Sequence, residues 1–307
     1  MTVGIFWHPA IFLHDQAAGH AAMAEDRIAM VAGQLLALPH VAPRLAEPAT
    51  REQLLRVHDL AYVERLARTS LLPQGQELVL APDTALNRYT WPALKLSAGA
   101  ACQAVDAVLG REVDHAFNPG YAGHHASRAG ADGFCFVNTA LVAAFHAQAL
   151  GVERIAVLDF DVHSGNGTIA GLMVRPEFLF AETFQPGYPG AILQKTPRPA
   201  HILRKKCAER RDFLRAWHRF FETLCEWRPE LVVVSAGFDA HRADPLGTLK
   251  LLDEDYAWLA RGLLTLDAPV VATLEGGYSV PDVARCAALF VDTLAGQERP
   301  GVGAIRG

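Results

Sequence analysis

The sequence predicts an α/β protein with a mostly parallel sheet and helices on both faces. Three observations carry this. Short apolar runs rich in β-branched residues alternate with segments of helical spacing along the chain. The runs are apolar on both sides, as strands covered on two faces must be. The unusual polar residues sit immediately after those runs, where open parallel sheets place their ligands.

The elements follow in order. VGIFW at 3–7 predicts a strand. Apolar residues at three- and four-residue spacing predict a helix over 25–38. Thr50, ahead of REQLLRV, is a candidate N-cap. Helical spacing returns over 91–109, and the weaker run HAF at 115–117 predicts a strand. A helix is expected over 137–150, then strands at 155–158 and 178–180. A helix over 211–227 precedes a strand at 231–234, and a helix over 253–266 precedes a strand at 269–274. A closing helix is expected over 282–294. No Gly/Ser-rich or Pro-rich linker divides the 307 residues, so a single domain is expected over 1–307.

Composition narrows the function classes. The chain is 51% hydrophobic and 20% charged, an ordinary globular balance. A net charge of -5 gives no basic footprint for nucleic acid or anionic lipid. No apolar run is long enough to span a bilayer, and MTVGIFWHPA lacks the pattern of a signal peptide. The five cysteines (102, 135, 207, 225 and 286) form no CxxC pair. An odd, scattered set reads as reduced and cytoplasmic. Oligomeric state is left open, a homo-oligomer included.

The chemistry lies in four clusters. In DFDVH, residues i, i+2 and i+4 of an extended chain share a face, which would align Asp159, Asp161 and His163. Buried charge is costly unless paired or bound to metal, and an Asp with a His two residues on is a compact donor pair for a divalent ion. The bland reading is a buried salt-bridge network. SAGFDAHRADP at 235–245 offers Asp239 and Asp244, either of which could be a third ligand. Three ligands with one open position is the layout of a catalytic zinc site. In GHHA at 123–126, His124 and His125 suit acid and base work if each has its own orienting partner. In EGGY at 275–278, two glycines let the backbone bend and bring the Tyr278 phenol to the sheet end, where it could donate to an oxyanion.

Together these clusters resemble the zinc-dependent histone deacetylase family, which includes acetylpolyamine amidohydrolases and acetoin-utilisation proteins. The resemblance covers most of the chain. It rests on VHD at 57–59 with Tyr62, GHHA at 123–126, GFCFVN at 133–138, DFDVHSGNGT at 159–168, SAGFDAHRADPLG at 235–247 and LEGGY at 274–278. The wording is closer to the class II and bacterial branch. The resemblance implies an arginase/deacetylase fold with about eight parallel strands, and hydrolysis of an acylated amine such as acyl-lysine or an acetylpolyamine. It implies zinc held by Asp161, His163 and Asp244. It makes His124 and His125 the tandem histidines, with Asp159 behind one and Asn166 behind the other. Tyr278 would face the substrate carbonyl. Phe134 would wall the acyl tunnel, with Gly133, Tyr188, Gly276 and Gly277 around the substrate, and Arg27 would line an exit cavity. It implies a structural potassium ion on Asp159, Asp161 and the backbone near His163.

The chain departs from the family pattern in places. Pro119-Gly120-Tyr121-Ala122 replaces an arginine-proline-proline run, Ser164 stands where a second histidine is common, and Asn166 replaces a class I aspartate. After Tyr188-Pro189-Gly190 the run AILQKTPRPAHILRKKCAE is basic and lacks the usual glycines. Glu182 and Thr183 replace the usual serine near the potassium shell. Arg204, Lys205 and Lys206 read as a solvated face and Cys135 as packing; His8, His14, Asp15 and His20 could line the entrance but read first as a solvated loop. Two other functions are weighed: a binuclear arginase-type hydrolase, disfavoured by His241 where a second aspartate is needed, and a non-catalytic acyl-amine-binding module.

Overall fold

The computed structural model describes residues 1–14, 26–81, 84–187 and 201–297. The sheet is formed by β1 (Val3–Trp7), β2 (Val41–Leu45), β5 (His115–Asn118), β6 (Ile155–Asp159), β7 (Phe178–Phe184), β8 (Ile202–Lys206), β9 (Leu231–Ala236) and β10 (Val270–Leu274). The strand order is β2-β1-β5-β10-β9-β6-β7-β8. Every pairing in it is parallel. A two-stranded antiparallel ribbon, β3 (Leu78–Ala81) with β4 (Thr84–Leu86), stands apart.

Each sequence-predicted strand is present, and their side chains are almost entirely buried. Patterning misses the two edge strands of the sheet and both strands of the ribbon. Pro43 interrupts β2, and β8 reads ILRKK. Edge strands carry proline and lysine because an unpaired apolar edge would recruit other chains, so they lack the signal of interior strands.

The helices are α1 (Asp26–Leu36), α2 (Arg51–Leu55), α3 (Leu60–Ala67), α4 (Thr90–Leu109), α5 (Thr139–Ala149), α6 (Asn166–Leu172), α7 (Arg210–Trp227), α8 (Asp253–Leu264) and α9 (Val280–Leu294). Thr50 caps α2 in a full capping box with Gln53. α4 and α5 pack together over β1, β5, β10, β9 and β6, while α1, α9, α8 and α7 form a second group that touches the sheet at β1, β2, β7 and β8. Phe160 locks that second group in place. Its ring lies 5.6 Å from Phe290, 5.9 Å from Phe238, 6.2 Å from Tyr256 and 6.4 Å from Trp217.

β5, β10, β9 and β6 are consecutive neighbours at the centre of the sheet, so the loops leaving their C-terminal ends share one crevice. His58 pins one of those loops. Its Nδ1 lies 3.0 Å from the Ser127 carbonyl oxygen, and its Nε2 accepts the Asn138 N–H at 3.0 Å. That pattern needs a neutral ring, and burial holds the His58 pKa down at about 4. Unfolded, the same ring titrates near 6.5, so protons favour the unfolded chain below that pH. The contribution is complete above pH ~6.5 and fades as pH falls toward ~4, a loss on the order of 3 kcal/mol. Urea unfolding of wild type and His58→Gln should show the stability gap narrowing from pH 7 to pH 4. A gap that stays constant would refute the neutral-ring assignment.

Candidate active site

β6 ends at Asp159, and residues 161–163 turn rather than extend. The expectation that Asp159, Asp161 and His163 share a face of extended chain is therefore corrected. What gathers them is the turn itself. Asp159 Oδ1 accepts the Asp161 N–H at 3.1 Å, and Asp161 Oδ1 accepts the His163 N–H at 2.8 Å. Asp239, on the loop after β9, accepts the Val162 N–H at 2.8 Å.

This brings His163 Nδ1 to 3.0 Å from Asp161 Oδ1 and 3.0 Å from Asp239 Oδ2. Ligand atoms of Asp161, His163 and Asp239 lie within 4.8 Å of one another, and all three residues are buried. Burial opposes charge on His163, but hydrogen bonds to Asp161 and Asp239 raise its pKa to about 10. Asp161 moves down despite burial, drawn by His124 and His163. Burial, then the charge of Asp161, push Asp239 up to about 7. Two carboxylates thus crowd one imidazole nitrogen at equal distance. Two carboxylates and an imidazole nitrogen form a donor set that fits a divalent ion of the zinc type.

Asp244 lies beside this group and is buried. Its Oδ1 accepts N–H groups of Leu246 at 2.8 Å and Gly247 at 3.1 Å, and its Oδ2 accepts the Tyr278 N–H at 2.7 Å. His241 turns away to Asp253, with Nε2 2.9 Å from Asp253 Oδ1.

The tandem histidines follow β5. Each finds its own partner through Nδ1: His124 meets Asp159 Oδ2 at 2.9 Å, and His125 meets Asn166 Oδ1 at 2.6 Å. Asn166 Nδ2 donates to Asp132 Oδ2 at 3.2 Å, which leaves its oxygen for His125. The ring centroids are 4.0 Å apart, and His125 is 6.1 Å from the His163 ring. Burial opposes charge on both, yet their pKa values separate. His124 is raised well above the ordinary range by Asp159, Asp161 and Glu275. His125 is held well below it by burial and by the charge on His124. A neutral amide behind His125, where a carboxylate would favour charge, helps to keep it a base.

Glu275, the first residue of EGGY, has a structural task that the sequence pattern does not reveal. Its Oε2 accepts the N–H groups of Gly123 at 2.6 Å and His124 at 3.2 Å, which ties the histidine loop to the end of β10. Its only signal is position: it is another acidic residue at the end of an apolar strand.

The EGGY segment is packed against the acidic pocket. The Gly276 N–H donates to Asp161 Oδ2 at 2.8 Å. A Cβ at Gly276 would stand 2.2 Å from Asp239 Oδ2, so only glycine lets this loop pack against the carboxylates. Gly277 has φ +131°, a conformation open to glycine alone at low cost. Arg27 is buried, and Nε donates to the Gly277 carbonyl at 2.6 Å while Nη2 bonds the Glu275 carbonyl. Its guanidinium carbon stands 5.8 Å from the Tyr278 ring centroid, so Arg27 anchors the tyrosine loop. The Tyr278 phenol is pushed well above its ordinary pKa by burial and by Asp239 and Asp161, which keeps it a proton donor. Phe134 faces it, with ring centroids 6.3 Å apart. Phe134 follows Gly133 and itself has φ 66°, strained for a bulky residue, and its N–H donates to Thr84 Oγ1 at 3.1 Å.

Two surface expectations are corrected. His14 is buried, with Nδ1 2.9 Å from Thr90 Oγ1 and its ring 4.6 Å from Tyr121. Arg204 is also buried and ion-paired to Glu182, because β8 joins the sheet beside β7. Cys135 packs with Ala122 and Ala126, as expected. Tyr188, Asp15 and His20 lie outside the described residues.

Comparison with known proteins agrees with the motifs. Residues 21–294 match the family described as the histone deacetylase domain. The chain belongs to the histone deacetylase family. As a member, it is a hydrolytic deacetylase. It is 35% identical to the histone deacetylase-like amidohydrolase of Pseudomonas aeruginosa, over 91% of this chain and 78% of that protein. It is 31% identical to a probable deacetylase of Methanothermobacter thermautotrophicus, over 84% of this chain and 81% of that one. Identity to human polyamine deacetylase HDAC10 is 32%, over 83% of this chain but 41% of the human protein. The solved HD domain of HDA15 superposes with a TM-score of 0.89 and 27% identity, covering 97% of this chain and 90% of that domain.

Proposed function

We propose that residues 1–307 form one zinc-dependent catalytic domain that removes an acyl group, acetyl foremost, from an amine such as acyl-lysine or an acetylpolyamine. The observation that carries this is the division of labour between His124 and His125 beside a cluster of two carboxylates and an imidazole that fits a divalent ion. Polyamine deacetylases among the relatives support the amine class. The five free thiols support a cytoplasmic setting. Among the described residues no helix is long and apolar enough to cross a membrane.

Asp161 and His163 would hold the ion, with Asp244 as third ligand and Asp239 bracing His163. The short Asp239–His163 distance favours the reverse assignment of the two aspartates, and metal content separates them. When bound, the ion would polarise the scissile carbonyl and acidify water. His125, neutral and with Nδ1–H fixed on Asn166, presents Nε2 as the base that takes the water's proton. The Tyr278 phenol donates to the developing oxyanion. Once protonated, His125 stands beside a second imidazolium, and their repulsion favours handing the proton to the leaving nitrogen. The products are the free amine and a carboxylate.

A panel of acetyl- and longer-acyl-lysine peptides and acetylpolyamines, with and without chelator, tests the reading. The expected result is chelator-sensitive hydrolysis of at least one class, restored by zinc. Zinc-loaded protein inert toward the whole panel would count for the binding-module alternative.

A further inference from the structure

Asp159, Glu182 and Arg204 occupy matching register positions on three neighbouring strands. Asp159 pairs with Glu182 across β6 and β7, and Glu182 pairs with Arg204 across β7 and β8. All three are buried. Arg204 Nε bonds Glu182 Oε1, and Nη2 donates to Ser164 Oγ at 2.8 Å. The guanidinium carbon stands 4.8 Å from the Phe184 ring centroid, so an aromatic face backs the charge. Glu182 also accepts from Ser164 Oγ at 3.2 Å and from the Gly165 N–H at 2.9 Å.

Ser164 and Gly165 directly follow His163, and Gly165 is the N-cap of α6, which begins with Asn166. The ion pair therefore grips the turn that sets both His163 and the partner of His125. This is also the region where the family resemblance implies potassium, on Asp159, Asp161 and the backbone near His163. The residues present do not fit that ion. The serine expected there is Glu182, and its charge is already balanced by a guanidinium. A mobile monovalent cation beside a buried guanidinium would be repelled.

We propose that Arg204 is a resident cation: it does for the 163–166 turn what a monovalent ion would do, and it frees this enzyme from potassium. Arg204 is a positioning residue, acting through Glu182 and Ser164. Its planar fork reaches both partners at once, which a lysine ammonium at the same place would not.

The first test uses the wild-type protein in potassium, sodium and N-methylglucamine chlorides at equal ionic strength. A cation that bound the native state would raise its thermal midpoint, by an amount that grows with the logarithm of its concentration above Kd. Turnover within about twofold across the salts and an unchanged midpoint are expected. A midpoint several degrees higher in potassium would overturn the proposal, and this readout does not depend on the hydrolase reading. The second test is Arg204→Ala, expected to lose about tenfold or more in turnover, as losses behind a metal ligand do. Millimolar guanidinium should restore part of that loss, and Arg204→Lys should not behave as wild type. Wild-type turnover in Arg204→Ala would also overturn the proposal. If that variant does not fold, the wild-type salt series still decides.

Discussion

Tyr278→Phe is expected to lower turnover by about 10²–10³-fold, the usual cost of one oxyanion donor, while metal content stays at the wild-type level. Only the hydroxyl is removed, and everything that positions the ring remains. Asp244 still accepts the backbone N–H of residue 278, and Arg27 still holds the carbonyls of Glu275 and Gly277. The ring still faces Phe134. An interaction made only in the transition state lowers kcat and kcat/KM together, so KM should move little. Metal analysis alongside steady-state kinetics checks both halves. Turnover within threefold of wild type would remove the phenol from the mechanism, and lost metal would mean that it supports the ligands instead.

Asp161→Asn is expected to lose the divalent ion and, with it, measurable turnover. Asp161 meets His163 at 3.0 Å, takes the Gly276 N–H, and stands 3.8 Å from His124 Nε2, so its charge faces the ligand histidine, the tyrosine loop and a tandem histidine at once. Asparagine keeps the shape and removes the anion. The companion pair decides the third ligand. Asp244→Asn should lose the ion, whereas Asp239→Asn should keep it and weaken affinity by about 10–100-fold, as losing a group behind a ligand does. The opposite pattern would exchange the roles of the two aspartates. Full metal content in Asp161→Asn would end the proposal for this pocket.

The interior of the sheet was legible because β1, β6, β9 and β10 are continuous apolar runs, and their ends were legible because charge there has no structural excuse. The edges were not. Pro43 and the lysines of β8 erase the apolar signal for the same reason that they protect the edge. Arg204 was misread with its neighbours because Lys205 and Lys206 are exposed while it is buried; Lys206 shares its face, so only the pairing of Arg204 with Glu182 tells them apart. His14 was misread because the Tyr121 and Phe136 rings that cover it are more than a hundred residues away. Asn166 as partner of His125 was expected from the family resemblance, and the structure places it there. Asp239 beside His163 was left open by spacing alone, since it stands only five positions before Asp244 and either can reach.

The loops that carry the candidate site leave four adjacent central strands, yet their contacts span great chain distances: Glu275 holds Gly123 across 152 positions. No excised fragment can therefore rehearse the chemistry in miniature, and no partly assembled intermediate should hydrolyse anything. In a denaturant series, enzymatic competence and the cooperative melting of the whole molecule must vanish at the same midpoint. Activity thus serves as a faithful gauge of how much of a preparation is native.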